Sequence, residues 1–189
     1  MSSETEYTVG QFMEDVKAIL REKGSTDEGL SEIAQRMQVL SSRSDLLEQG
    51  PIRIIPPGRE ALEVCDLYSD LDDTLILADA RIAHEHPTTP HNHNTWGVIC
   101  PYKGSIHYEG WERVDDVSKP GSAELKLHVK QDLEPGEALY WLPYPRDIHR
   151  QQAHDEQGWE IFLMGKGTQG TSLLHFDPDQ LKVWDVAPG

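Results

Sequence analysis

"PHNHNTWGVICPYKG", residues Pro90 to Gly104, sets two histidines one residue apart, with Gly97 four residues after the second and Gly104 seven beyond that. On a β-strand, residues i and i+2 face the same side, so His91 and His93 would present two imidazoles into one lumen. That is a bidentate arrangement for a metal. A His-x-His pair is weak on its own, because the chain holds nine histidines and "HEH" at His84 and His86 has the same form. A third donor from another strand is needed, and His149 in "PGEALYWLPYPRDIHR" is the best placed. There a Pro-Gly turn leads into an apolar strand, and a Pro-rich bend then delivers one histidine.

The surrounding chain reads as mostly β. From "PIRIIPPG" onward, short runs rich in β-branched and aromatic residues alternate with turn signals. Candidate strands are "TLILADARI", "TWGVICPY", "SIHYEGWERV", "AELKLHVKQ", "ALYWLP", "EIFLMG", "SLLHF" and "LKVWDV". "SKPGS" and "LEPGE" supply tight turns. In "AELKLHVKQ", Leu125, Leu127 and Val129 alternate with Lys126, His128 and Lys130, which predicts one inward and one wet face. Many short antiparallel strands at even spacing fit a sandwich, jelly roll or barrel.

The first part of the chain is helical. Thr8 and Gln11 form a capping-box pattern ahead of Phe12, Val16, Ile19 and Leu20, and Gly24 stops the run. Thr26 opens a second stripe of Leu30, Ile33, Ala34, Met37 and Leu40. Residues 1–50 are therefore expected to be an N-terminal helical segment packed on a β domain at 51–189.

With 189 residues, 37% of them hydrophobic, the chain suits one core. Its 17 basic against 33 acidic residues give a net charge of -16, which disfavours nucleic acid and anionic membranes as partners. No apolar run has the length of a membrane span and "MSSETEYTVGQF" lacks the marks of a signal peptide, so the cytoplasm is the expected compartment. Cys65 and Cys100 are too few for a disulfide framework and are expected to be thiols.

These residues resemble the cupin superfamily. Its first motif carries His-x-His, an acidic ligand and a glycine; His91, His93 and Gly104 match, while Gly97 stands where the acid would be. Its second motif is met by Gly136, Pro143 and His149. A three-histidine site without the acid is a mark of the thiol dioxygenases, and "TPHNHNTWGVI" is similar to the matching stretch of the cysteine and mercaptopropionate dioxygenases, as are the span from "DIHR" to "LLHFDPDQLKV" and the helical lead. The resemblance implies an all-β cupin double-stranded β-helix (jelly-roll barrel) with an N-terminal helical segment, holding Fe(II) on His91, His93 and His149. It also implies that a small-molecule thiol, a mercapto-acid or related compound, binds there with O2, and that the chain forms a homodimer. Three neutral imidazoles leave the metal its full positive charge, which suits an anionic chelating substrate. Imidazole equally suits Zn, Cu and Ni.

One departure from the family is marked. Thiol dioxygenases carry Ser-x-His-x-Tyr on the strand after the third ligand, whereas counting from His149 puts Phe162, Met164 and Lys166 at those places. Phe162 and Met164 thus become candidate substrate-contacting residues. Glu160, two residues earlier on the same strand face, is the candidate catalytic carboxylate: a general base or a partner for a ligand histidine, against the alternative of a surface residue at a strand start. Arg81 is the candidate partner for an anionic substrate, and Arg150, adjacent to a ligand, should face the other way. Tyr102, Tyr108, Tyr140 and Tyr144 are candidates to replace the missing phenol or, alternatively, buried aromatics. Trp96 should pack away from the metal, and His84 and His86 belong to a loop. His107, His128, His154 and His175 are expected on exposed strands or loops. Three functions remain open: a thiol dioxygenase, a metal cupin acting on a non-thiol compound, and a non-enzymatic small-molecule-binding cupin.

Overall fold

The computed structural model describes residues 7–43, 52–55, 61–71, 74–165 and 173–186. The boundary expected near residue 50 and Lys166 lie outside the described residues. The helices come first, α1 (Val9–Lys23) and α2 (Asp27–Ser41). Both start where local chemistry satisfies their free N–H groups. At α1 the Thr8 hydroxyl accepts from the Gln11 amide and the Gln11 side chain accepts from the Thr8 amide. At α2 the Thr26 hydroxyl accepts from the Gly29 amide at 3.3 Å. Gly24 ends α1 at φ 68°, a conformation that favours glycine.

The strands are β1 (Ile52–Ile54), β2 (Ala61–Ser69), β3 (Leu75–Ile82), β4 (His91–Asn92), β5 (Gly97–Lys103) and β6 (Ile106–Arg113), then β7 (Leu125–Leu133), β8 (Leu139–Trp141), β9 (Ile148–Ala153), β10 (Trp159–Gly165), β11 (Leu173–Asp177) and β12 (Lys182–Val186). They form two antiparallel six-stranded sheets, ordered β1-β2-β3-β10-β5-β8 and β12-β11-β4-β9-β6-β7. Late strands are inserted between early ones in both sheets: β10 between β3 and β5, β9 between β4 and β6. That interleaving is the double-stranded β-helix, and it puts His91 directly opposite His149 across the β4–β9 pair. The fold is all-β in its main body, a cupin jelly roll with an N-terminal helical segment.

Alternation along the first sheet divides its residues between two cores. Leu77, Val98, Cys100, Ile161 and Leu163 face outward and are buried under Phe12, Val16, Ile33, Met37 and Leu40 of the helices. Each such aliphatic side chain contributes about 1.5–3 kcal/mol through burial, so the helical lead closes the sheet's outer face. Trp96 packs in the same cluster, as its spacing predicts. Facing the lumen are Ala80 and Ile82 of β3, Ile99 of β5, and Glu160, Phe162 and Met164 of β10. The second sheet departs from the expectation for "AELKLHVKQ": β7 is an edge strand, a register shift against β6 between Gly110 and Trp111 breaks its alternation, and Leu127 is 46% exposed. Cys65 and Cys100 are both buried and stand as thiols rather than in a disulfide, and burial raises the Cys100 thiol to about 11. No helix among the described residues is long and apolar enough to cross a membrane.

Candidate metal centre

Strand pairing brings the three histidines together. His91 begins β4, His93 follows it on the same side, and His149 enters on β9 after a bend that contains a cis Tyr144–Pro145 peptide. All three are buried, and their ligand nitrogens lie within 4.8 Å of one another. His93 Nε2 is 3.2 Å from His91 Nε2 and 3.4 Å from His149 Nε2. Metal–imidazole bonds of about 2.0–2.1 Å place neighbouring ligand nitrogens about 2.8–3.4 Å apart, from octahedral to tetrahedral geometry. His91 Nδ1 lies 2.7 Å from the Thr89 carbonyl, which can only accept, so Nδ1 carries the proton and Nε2 presents its lone pair. The residues present fit a metal ion.

Two further contacts fix this set. The buried Asp147 carboxylate accepts from the Asn94 amide at 2.7 Å, tying the turn after His93 to the segment that delivers His149. Burial raises the Asp147 carboxyl above its usual value, and the backbone N–H groups of Asn94 and His93 oppose that rise. The Trp141 indole donates to the Thr95 carbonyl at 3.0 Å and stands edge-on to His149, with ring centroids 4.6 Å apart. A Cβ at Gly97 would lie 2.0 Å from Trp141 Cζ2. The indole therefore fills the space beside Gly97, where the cupin motif would carry an acidic ligand.

His93 and His149 line a cavity of about 610 Å³, a volume typical of small-molecule sites. Glu160 faces into it and is 3% exposed, its Oε2 accepting from Gln151 Nε2 at 2.7 Å. Phe162 and Met164 also line it. Arg81 does not. Its neighbours Ala80 and Ile82 take the inward positions of β3, so the Arg81 guanidinium lies on the other face, 2.8 Å from Glu63. Among the described residues the arginine at the cavity is Arg53, on the exposed edge strand β1, bonded through Nε and Nη2 to Asp66. Arg150 binds Glu109 and lies over Trp111 on the outer face of its sheet.

Tyr108 is the tyrosine nearest the ligands, 5.3 Å from the His149 ring between centroids. Burial first, then the charges of Glu160 and Asp147, hold its phenol protonated, well above its usual range. Tyr102 instead donates to Asp79 beneath the helices, Tyr140 to Asp27, and Tyr144 is exposed. His175, expected at an exposed position, is half-buried and lines the cavity beside His91, which it pairs across β4–β11. Gln151, Trp141, Asp147 and Arg53 were not among the sequence candidates. Gln151 was within reach of the period-two rule, being two residues after His149.

No protein-family model and no curated protein matches the chain. Solved structures that it resembles include an oxalate decarboxylase (14% identity, TM-score 0.46, 69% of this chain and 31% of that one). Others are KdgF from Halomonas sp. (17%, TM-score 0.45, 62% and 87%) and an RmlC-like cupin from Shewanella frigidimarina (18%, TM-score 0.45, 64% and 86%). The chain thus spans about a third of the oxalate decarboxylase. The interleaved strand order makes the fold a double-stranded β-helix jelly roll, with three histidines arranged to hold a metal.

Proposed function

We propose that the protein is an Fe(II)-dependent dioxygenase of the cysteine dioxygenase-like type, oxidising a small thiol to its sulfinate with O2. The observation that carries this reading is the donor set: three buried, converging imidazoles, with Trp141 rather than a carboxylate beside Gly97. Neutral donors leave a bound dication uncompensated, which favours a thiolate as its partner. Iron bound there would supply a Lewis-acidic, redox-active centre open to thiolate and dioxygen. The reaction balances as RS⁻ + O2 → RSO2⁻: the O–O bond breaks, two S–O bonds form, sulfur gives four electrons and dioxygen takes four. Within the chain, His91, His93 and His149 hold the site, Phe162 and Met164 bound the substrate, and Glu160, hydrogen-bonded by Gln151, is the catalytic carboxylate that orients it. The compartment proposed is a reducing cytoplasm, which keeps Cys65 and Cys100 as thiols.

A second reading, a metal cupin acting on a non-thiol compound, is favoured by β10, where Phe162 and Met164 stand in place of the first two residues of Ser-x-His-x-Tyr. The experiment is elemental analysis of the purified protein, then anaerobic Fe(II) loading and an oxygen-electrode assay over charged and apolar thiols. Iron near one per chain with thiol-dependent oxygen uptake supports the dioxygenase. Bound metal with no turnover of any thiol transfers the assignment to the second reading.

A further inference from the structure

Resting on the reading of this site as a metal cupin, we infer that its cavity selects a small substrate with an apolar body and a single metal-binding head, and rejects a second anionic group such as a carboxylate. The walls are the first reason. Ala80, Ile82, Ile99, Phe162 and Met164, drawn from three adjacent strands, present hydrocarbon, thioether and one aromatic ring to the lumen. None of them offers a hydrogen bond to a polar substituent. A body of matching character gains about 25 cal/mol for each Å² of apolar surface it removes from water.

The second reason is charge. Glu160 is the acidic group that lines the cavity among the described residues, and it is buried, with Gln151 bonded to one of its oxygens. A substrate carboxylate drawn in behind a metal-bound head would meet this carboxylate where water screens little. Among the described residues, no lysine or arginine of the interior offsets it. Arg53 is the only lysine or arginine lining the cavity among the described residues; its side chain is 56% exposed, and two of its nitrogens are committed to Asp66. Arg81, the sequence candidate for that role, is spent on Glu63 outside the barrel. A buried anion without a partner is costly, so affinity should fall on any substrate that carries one.

The test uses two matched pairs of probes read by anaerobic calorimetric titration. Zn(II)-loaded protein is titrated with 2-phenylethanethiol and with 3-mercaptopropionate; metal-free protein is titrated with 2-phenylethanol and with 3-hydroxypropionate. The phenyl member of each pair should bind tighter by about tenfold or more. Glu160→Gln should narrow that gap by improving the carboxylate member. Equal or tighter binding of the carboxylate member in either pair overturns the inference, and a gap unchanged in a folded Glu160→Gln variant overturns the part assigned to Glu160. The wild-type ranking decides the main point without the variant. The metal-free pair involves neither thiol nor oxygen. If that ranking holds while no thiol supports oxygen uptake, the dioxygenase reading falls and the cavity's selectivity stands.

Discussion

Gly97 and Trp141 are cross-strand partners on β5 and β8, and the indole lies where a side chain on Gly97 would begin, 2.0 Å from an ideal Cβ. The two residues are a coupled choice. A tryptophan here requires glycine there, and together they leave the metal site with three imidazoles. Gly97→Glu should therefore not create a fourth ligand; it should displace Trp141 and destabilise the fold by about 1–3 kcal/mol, the usual cost of overpacking. Gly97→Glu with Trp141→Ala should recover part of that loss, a non-additivity expected of residues in contact. Thermal melts of the two single variants and the double variant read it directly, and additive losses would refute the coupling.

Metal binding should be visible as stability. A ligand that binds only the folded state adds about 2.7 kcal/mol at a hundredfold excess over its Kd. Wild-type protein should show a rise in Tm on adding Fe(II) or Zn(II), while His93→Ala and His149→Ala should lose it. His84→Ala, in the loop before β4, should keep the full shift, since that histidine is not one of the converging set. A shift lost with His84→Ala instead would mean that the other His-x-His pair holds the ion.

Asp147 is the positioning residue for those ligands. Its carboxylate on the Asn94 amide fixes a turn in which Asn94 has φ 56°, a left-handed conformation rare outside glycine. Asp147→Ala should weaken metal affinity about 10- to 100-fold, as loss of an outer hydrogen bond to a metal site commonly does. Competition titration against a chelator of known affinity measures it. Unchanged affinity in the folded variant would reduce Asp147 to a support of the bend alone.

Much of this was legible in the sequence, for stated reasons. The helices announce themselves through Thr8, Gln11, Gly24 and Thr26, all of which act locally. The histidine pair follows from the two-residue period of a strand. β9 was not legible, because its inward residues His149 and Gln151 are as polar as outward Arg150 and Gln152, so no hydrophobic alternation marks it. β2 hides behind two register shifts, at Ala61/Glu63 and Asp66/Tyr68. Arg81 was misplaced because sequence does not say which parity of β3 faces the lumen, and pairing of Ala80 with Glu160 decides it. The fit of Trp141 against Gly97 depends on register between β5 and β8, which no local pattern encodes.

The outer face of the second sheet carries the protein's clearest acid-sensitive element. Glu109 is nearly buried there and is bonded by Arg150 at 2.6 Å and Lys130 at 2.7 Å, with His107 at 3.4 Å. Burial alone would raise its carboxyl, but Lys130, Arg150 and His107 together outweigh burial and lower it from 4.5 to about 2. The unfolded chain therefore takes up a proton at higher pH than the folded one. The stabilisation from Glu109 is complete above about pH 4.5 and is lost as pH falls toward about 2. Glu109→Gln should cost about 2 kcal/mol at neutral pH, the scale of hydrogen bonds to charged groups, and should flatten the decline in stability between those two pH values. Urea unfolding at a series of pH values, wild type against variant, measures both effects. A variant whose stability falls with acid as steeply as the wild type would place the acid-sensitive group elsewhere.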